Sequence, residues 1–288
     1  MFYKKAMKLY GVTTTYNCEK MVPYVMKYAE EIGYDKFIVY DNESTDRTVE
    51  ALEKYPFVEI RHYHTDHYDE SHRISMLNEA IFSIPIEDDY MWATVCDFDE
   101  VIYYSQIGKE TFKDYLVKLS IKGYNVCTEH IVNLVCDGRY LDENKFVHLQ
   151  VEKCGYGSPY NWCKPILFRL DNLTFLDYTV GHHFGRFEYG DEKVKQFYNT
   201  KCLHVFHLKY IFGAEYVKKT IEEYNERAFS FSPDMERMEY ESLSVVEHEF
   251  EQTSINSIST KAYLENKMLY GDDESEHDEE LVAYPFLQ

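Results

Sequence analysis

Over its first hundred residues the chain alternates β-rich runs with stretches of helical spacing, and this alternation constrains the fold more than any other feature. Residues 9–15 form a short β-rich run that ends in polar side chains. Between Glu19 and Ile32 the apolar positions Met21, Val22, Val25, Met26 and Ala29 recur at helical spacing, and Gly33 supplies the residue that ends such a helix. A second buried strand spans 36–40, followed by the polar loop Asp41-Asn42-Glu43-Ser44-Thr45-Asp46. Thr45 or Asp46 then caps a helix running to residue 55. Residues 57–62 read as a third strand, and 71–84 as a helix with Ile74, Leu77, Ala80 and Ile81 on one face. Residues 90–96 are apolar enough for a strand buried on both faces. Such a succession predicts an α/β fold: a mixed, mainly parallel sheet flanked by helices, with right-handed crossovers. Ligands bind such sheets beyond the carboxyl ends of the strands. Residues 14–17, 41–46 and 97–100 are therefore the first places to look for a site.

The second half is more mixed. Helical spacing covers 111–119 and 214–229, while 124–134, 165–170 and 174–180 read as strands. Pro233 marks a boundary, so residues 1–232 are expected to form the catalytic domain, divided into a nucleotide-binding half (1–105) and an acceptor half (106–232). Residues 233–288 read as an acidic, helical C-terminal appendage with a solvated tail that catalysis could spare. With 45% hydrophobic residues there is ample core for a folded domain.

The formal net charge of −21 excludes a nucleic-acid partner, whose phosphates call for clustered Lys and Arg. Residues 234–280 hold 15 acids and 3 bases, a charge of −12, which leaves −9 for the remainder. An acidic chain still binds a diphosphate when a divalent cation supplies the positive charge. The seven cysteines show no pair at CxxC spacing and read as reduced thiols. Nothing at the start resembles a signal peptide, and no stretch approaches 18 consecutive apolar residues. The expectation is a cytoplasmic protein, for which peripheral docking at the inner face of a membrane stays compatible.

The strongest chemical signal is Cys96-Asp97-Phe98-Asp99-Glu100, directly after the buried fourth strand. Two carboxylates two residues apart at a strand end can converge on one cation, and Mg²⁺ and Mn²⁺ take one or two carboxylates together with substrate phosphates. Together with the Thr14-Thr15-Tyr16-Asn17 turn, the loop from Tyr40 to Thr48, and a helix carrying Arg73 and Asn78, this motif resembles the family-2-like glycosyltransferases of the GT-A type. The resemblance is closest to the branch whose metal motif reads Asp-x-Asp-Glu. It runs from about residue 9 to about residue 104, with weaker echoes to about 229.

The resemblance implies a GT-A fold and roles for single residues. Asp41 would accept hydrogen bonds from the base or ribose of a nucleotide, with Asn42 in the same loop. Thr14, Tyr16 and Asn17 would line the base pocket. Arg73 would reach the diphosphate or ribose. Asp97 would hold the ribose or a metal-bound water, and Asp99 would ligate Mn²⁺ or Mg²⁺. Related enzymes often place a late histidine at the metal or its phosphates; of Gly181-His182-His183 and His204-Val205-Phe206-His207, His207 and His182 are favoured. His204 and His207 would converge on a helix but face opposite sides in a strand. The implied activity is transfer of a sugar, from a UDP-sugar by preference, to a glycan or lipid-linked acceptor in cell-surface polysaccharide or glycoconjugate synthesis. Two departures stand out. The loop reads Asp41-Asn42-Glu43-Ser44 instead of Asp-Asp-Gly-Ser, and no Glu-Asp pair marks a base. An inverting transfer needs such a group within reach of the acceptor hydroxyl, and Asp177, Asp191, Glu188 and His182 are the candidates. Lys164, before Pro165, reads as a surface lysine or a contact to acceptor or phosphate.

Three other functions compete. A phosphohydrolase with Asp97 as nucleophile would place the motif near the domain's start and follow it with Ser or Thr; here Glu100-Val101-Ile102 follows. A sugar nucleotidyltransferase would need a Gly-rich loop after the first strand, where Thr13-Thr14-Thr15-Tyr16 stands. A binding or scaffold protein on the same fold is the alternative without turnover.

Overall fold

The computed structural model describes residues 7–65, 70–87, 90–106, 108–136, 140–155, 163–178, 185–198, 202–213, 215–220, 222, 258–261 and 263–264. The alternation is realised as β1 (Lys8–Thr15), α1 (Val22–Ile32), β2 (Lys36–Asp41), α2 (Thr48–Leu52), β3 (Val58–His62), α3 (Glu70–Phe82) and β4 (Met91–Val95). Gly33 ends α1 at φ 78°, a left-handed conformation that glycine adopts at little cost. The second helix is shorter than expected and lacks a side-chain cap at Arg47, although Asp46 Oδ1 accepts from the Thr48 N–H at 2.9 Å.

These four strands lie parallel in the order β3-β2-β1-β4. Side chains alternate between two cores. Tyr10, Val12, Ile38, Tyr40, Met91, Ala93 and Val95 pack with α3, while Leu9, Phe37, Val39 and Trp92 face the side covered by α1, α2 and α4 (Phe112–Ile121). Every residue of β4 is buried, as expected for a strand covered on both faces. Helix α4 opens with a capping box in which the Thr111 side chain and Asp114 satisfy each other's backbone N–H.

The sheet continues antiparallel from β4 to β8 (Cys163–Arg169), then through β6 (Val126–Val135) to β7 (Lys153–Gly155) and β13 (Ile258–Ser259). Among the described residues it is an eleven-stranded mixed sheet flanked by helices, the expected architecture. Strands β5 (Glu100–Tyr104) and β12 (Leu203–His207) pair antiparallel, and β12 also pairs in parallel with β6. Strand β11 (Gln196–Tyr198) joins β6, and β9 (Phe175–Tyr178) with β10 (Gly185–Glu188) forms a separate two-stranded sheet beside α3.

Part of the C-terminal segment belongs to this architecture. β13 pairs with β7, Thr260 N–H donates to Glu152 O at 3.0 Å, and Tyr263 packs into the core with Phe206 and Tyr28. The helix expected at 214–229 is seen at residues 215–220 and 222; the rest of it lies outside the described residues, as do 223–257 and the acidic run 272–280. Among the described residues, no helix is long and apolar enough to cross a membrane.

Candidate functional site

In the order β3-β2-β1-β4 the chain steps outward from β1 through β2 to β3 and then returns to the other side of β1, and sheets with such a switch bind ligands beyond the carboxyl ends of the strands beside it. The register aligns Thr15 with Asp41 and Asp41 with His62, and Thr13 Oγ1 donates to Cys96 O at 2.8 Å, so these strand ends form one row.

The motif Asp97-Phe98-Asp99-Glu100 is a tight turn joining β4 to β5. The Glu100 N–H donates to Asp97 O at 3.0 Å, and the Asp97 N–H donates to Glu100 Oε2 at 3.1 Å. Phe98 is buried in the core and anchors the turn, so the two aspartates flank a fixed ring. Two cations hold Asp97: Arg73 Nη1 stands 3.1 Å from Oδ1 and Lys164 Nζ 2.9 Å from Oδ2. Lys164 also lies 2.6 Å from Glu100 Oε1. Against the expectation of a surface residue, the Lys164 side chain is 3% exposed, because its β8 position lies beside the buried face of β6 and its stem passes beneath the acidic turn. Burial works against its charge, yet Asp97 and Glu100 outweigh that and raise its pKa. Burial pushes the Glu100 carboxyl up, and Lys164 draws it back only in part.

Asp99 meets a histidine instead. His207 Nε2 is 3.2 Å from Asp99 Oδ2, and its Nδ1 lies 2.8 Å from Asn133 Oδ1. The pairing of β12 with both β5 and β6 sets this up, because His207 stands opposite Glu100 on one side and Asn133 on the other. Burial would lower the imidazole, and Asp99 more than offsets it, so its pKa rises; the Asp99 carboxyl is held below its usual range by His207 in spite of burial. A carboxamide oxygen on Nδ1 requires that nitrogen to carry the proton, which leaves Nε2 of the neutral ring as a lone pair aimed at Asp99. A second proton or a cation between the two resolves that opposition. Asp99 and His207 thus fit a divalent cation, Mn²⁺ better than Mg²⁺ given the nitrogen donor, with phosphate and water oxygens completing the shell. Among the described residues no group of three or more His, Cys, Asp or Glu stands ready to hold a metal ion by itself.

At the end of β2, the Asp41 side chain is 2% exposed. Its Oδ2 accepts from the Ser44 N–H at 3.0 Å, whereas its Oδ1 is buried without a hydrogen-bond partner. Thr14 and Tyr16 are half-buried beside it, and Asn42 is buried with its N–H on Thr15 O at 2.9 Å. Asn17 serves the loop itself. At φ 48° its Oδ1 accepts from the Thr45 N–H at 2.8 Å, and its own N–H donates to Ser44 Oγ at 2.9 Å. This lock ties the 14–17 turn to the 41–46 loop. Asp99 lies close enough to Cys18, in that same turn, to add to the burial that pushes its thiol up to about 11.

The base candidates fare differently. Asp177 is exposed on β9 opposite Arg186, and among the described residues no hydrogen bond or ion pair ties it to the acidic turn. Asp191 is exposed two residues beyond Tyr189, whose hydroxyl donates to Asn125 O and Arg169 O. Arg169 pairs with Trp92 near the start of β4, so Tyr189 packs toward the end of that strand away from the motif. His182 lies outside the described residues. The sequence does not reveal the burial of Lys164 against Asp97 and Glu100, and it does not single out Asn133. The signal for Lys164 was a lysine inside an otherwise apolar strand.

The chain matches no known family profile, and no curated protein matches it in sequence. Among solved structures it is similar to 4-diphosphocytidyl-2C-methyl-D-erythritol synthase from Anaerococcus prevotii, with 10% identity and a TM-score of 0.27 over 49% of this chain and 61% of that one. A second structure of a synthase of that name gives 9% identity and a TM-score of 0.29 over 57% and 75%. HddC from Yersinia pseudotuberculosis gives 12% identity and a TM-score of 0.27 over 43% and 58%. Overlaps this partial carry no argument about activity, which rests on the site itself.

Proposed function

We propose that this chain is a metal-assisted glycosyltransferase that draws its sugar from a nucleoside-diphosphate donor, a UDP-sugar by preference. The observation that carries the proposal is the buried Asp41 carboxylate with an unpartnered oxygen, set in the same row of strand ends as the Asp99–His207 pair. A buried acceptor left unmet is costly, and the N–H edge of a pyrimidine base satisfies it. Asp99 and His207 would hold Mn²⁺ or Mg²⁺, whose charge, when bound, assists departure of the nucleoside diphosphate. A glycan or lipid-linked saccharide, held on the acceptor side, receives the sugar, with inversion if a carboxylate such as Asp177 or the imidazole of His182 reaches the acceptor hydroxyl.

The geometry disfavours the phosphohydrolase reading, because both oxygens of Asp97 face cations and neither is poised for attack. Calorimetry with UDP and Mn²⁺ tests the proposal. Metal-dependent UDP binding that disappears in Asp99→Ala is expected, and no nucleotide binding at any metal concentration would leave the scaffold reading instead. Hydrolysis of UDP-, GDP- and TDP-sugars by the same protein then identifies the donor without knowledge of the acceptor.

A further inference from the structure

Lys164 has no part in the transfer chemistry above, yet it is a deeply buried cation beside the acidic turn. Its Nζ contacts Asp97 Oδ2 at 2.9 Å and Glu100 Oε1 at 2.6 Å. Arg73 takes the other oxygen of Asp97 at 3.1 Å, and the Asp97 N–H takes the other oxygen of Glu100 at 3.1 Å. Each oxygen of these two carboxylates therefore faces a donor before any ligand arrives. Asp99 differs: its Oδ2 meets an imidazole nitrogen that itself suits a cation, where the Asp97 oxygens meet only ammonium and guanidinium donors.

We infer that Lys164 is a positioning residue that divides the motif in two, withholding Asp97 and Glu100 from a divalent cation and leaving Asp99 with His207 as the protein's ligands. The inference rests on the metal-assisted reading and adds to it which carboxylates are denied to the metal, and by what. To recruit Asp97, a cation would have to part its carboxylate from Lys164 and leave that buried ammonium facing one carboxylate where it now faces two, a costly change for a charge inside a protein. The ammonium does not compete for the cation's place; it fixes the carboxylates at a distance from it, so that metal affinity stays modest and depends on the diphosphate.

Mn²⁺ titrated calorimetrically into the full-length chain, without nucleotide, provides the test. The paired variant Lys164→Met/Glu100→Gln keeps the net charge while freeing one oxygen of Asp97. It should bind Mn²⁺ tighter by about tenfold, the scale on which outer-shell partners tune a metal site. Adding Asp97→Asn to that pair should return the affinity to the wild-type value. In the otherwise unchanged chain, Asp97→Asn should retain Mn²⁺ binding within about tenfold, and Asp99→Asn should abolish it. These two single variants decide the matter even if the paired variant does not fold. Unchanged affinity in a folded paired variant, a gain that persists without Asp97, or equal loss in Asp97→Asn and Asp99→Asn overturns the inference. So does a failure of every chain to take up Mn²⁺ without nucleotide, whereas UDP binding titrated across Mn²⁺ concentrations reports on the nucleotide reading separately.

Discussion

Strand β12 carries two histidines three residues apart, and they enter opposite worlds. His204 is fully buried in an aromatic cluster, its ring stacked against Phe206 at 5.8 Å and set edge-on to Tyr263 at 5.8 Å. His148 belongs to the same cluster, 4.2 Å from Tyr103 and 5.0 Å from Phe206, with Nδ1 on the Tyr28 hydroxyl at 2.9 Å. Burial among these rings pushes His148 down to about 4. On the other side of the strand His207 faces Asp99, and its pKa rises. Residue type is shared; surroundings decide the charge. One region stabilises the neutral imidazole by excluding water, the other stabilises the cation by presenting a carboxylate. The charges of the acidic turn each have a partner, Arg73 and Lys164 for Asp97, Lys164 for Glu100 and His207 for Asp99, whereas the cluster around His204 holds rings.

The largest effect expected from disturbing this arrangement is on the charged side. Lys164→Met alone leaves Asp97 without one cation and Glu100 facing none, and should cost about 3–5 kcal/mol in chemical denaturation. A loss below about 1 kcal/mol would mean that water reaches the network and that the two regions differ less than their burial implies. On the apolar side, Tyr263→Ala should cost about 3 kcal/mol, because the ring fills core space against Phe206 and His204. An unchanged stability would show that the C-terminal segment is as dispensable as its composition alone indicates. The pH dependence separates the regions directly. With an unfolded value near 6.5, a histidine held at about 4 leaves stability intact above pH 7, and stability falls as the pH drops from ~6.5 toward 4, where only the unfolded chain takes up the proton. The loss amounts to about 3 kcal/mol, and His148→Phe should flatten that part of the profile. His207 has the opposite sign, since its raised pKa contributes stability below the unfolded value that is lost as pH rises through the folded one. Equal acid sensitivity in wild type and His148→Phe would remove the cluster from the account.

The strand ends are legible because their information is local. A buried strand followed by polar residues reports both the element and its carboxyl end, so periodicity points to residues 41–46 and 97–100, while their roles come from the resemblance. His204 and His207 diverge because side chains alternate along a strand, which the three-residue spacing implies once β12 is known to be one. The other partners were hidden because long-range pairing brings them in. Lys164 reaches Asp97 across 67 residues through the β4–β8 and β6–β8 ladders, and Asn133 reaches His207 across 74 residues through β6–β12. β5 was missed for a related reason: Val101-Ile102-Tyr103-Tyr104 follows the motif without a break, and only pairing with β12 reveals it as a strand. The loop-holding role of Asn17 is likewise hidden, because its positive φ and the distant Thr45 amide define it.

The smallest effect, and the most discriminating, concerns Asn133. Its oxygen receives the His207 Nδ1–H at 2.8 Å and so keeps the neutral ring's Nε2 turned to Asp99 as a lone pair. Asn133→Leu removes the acceptor with little change in volume, so the ring is freed to place its proton on Nε2 and donate to Asp99. That tautomer satisfies the carboxylate without a cation. Mn²⁺ affinity should then fall by about tenfold while chemical denaturation shifts by no more than about 1 kcal/mol, the net worth of one hydrogen bond. Asn133→Asp restores an acceptor and adds negative charge behind the ring, so affinity should return to the wild-type level or exceed it. If both variants weaken Mn²⁺ equally, the carboxamide fixes only the position of the ring and not its tautomer. The contrast between the two histidines of β12 would then rest on Asp99 alone.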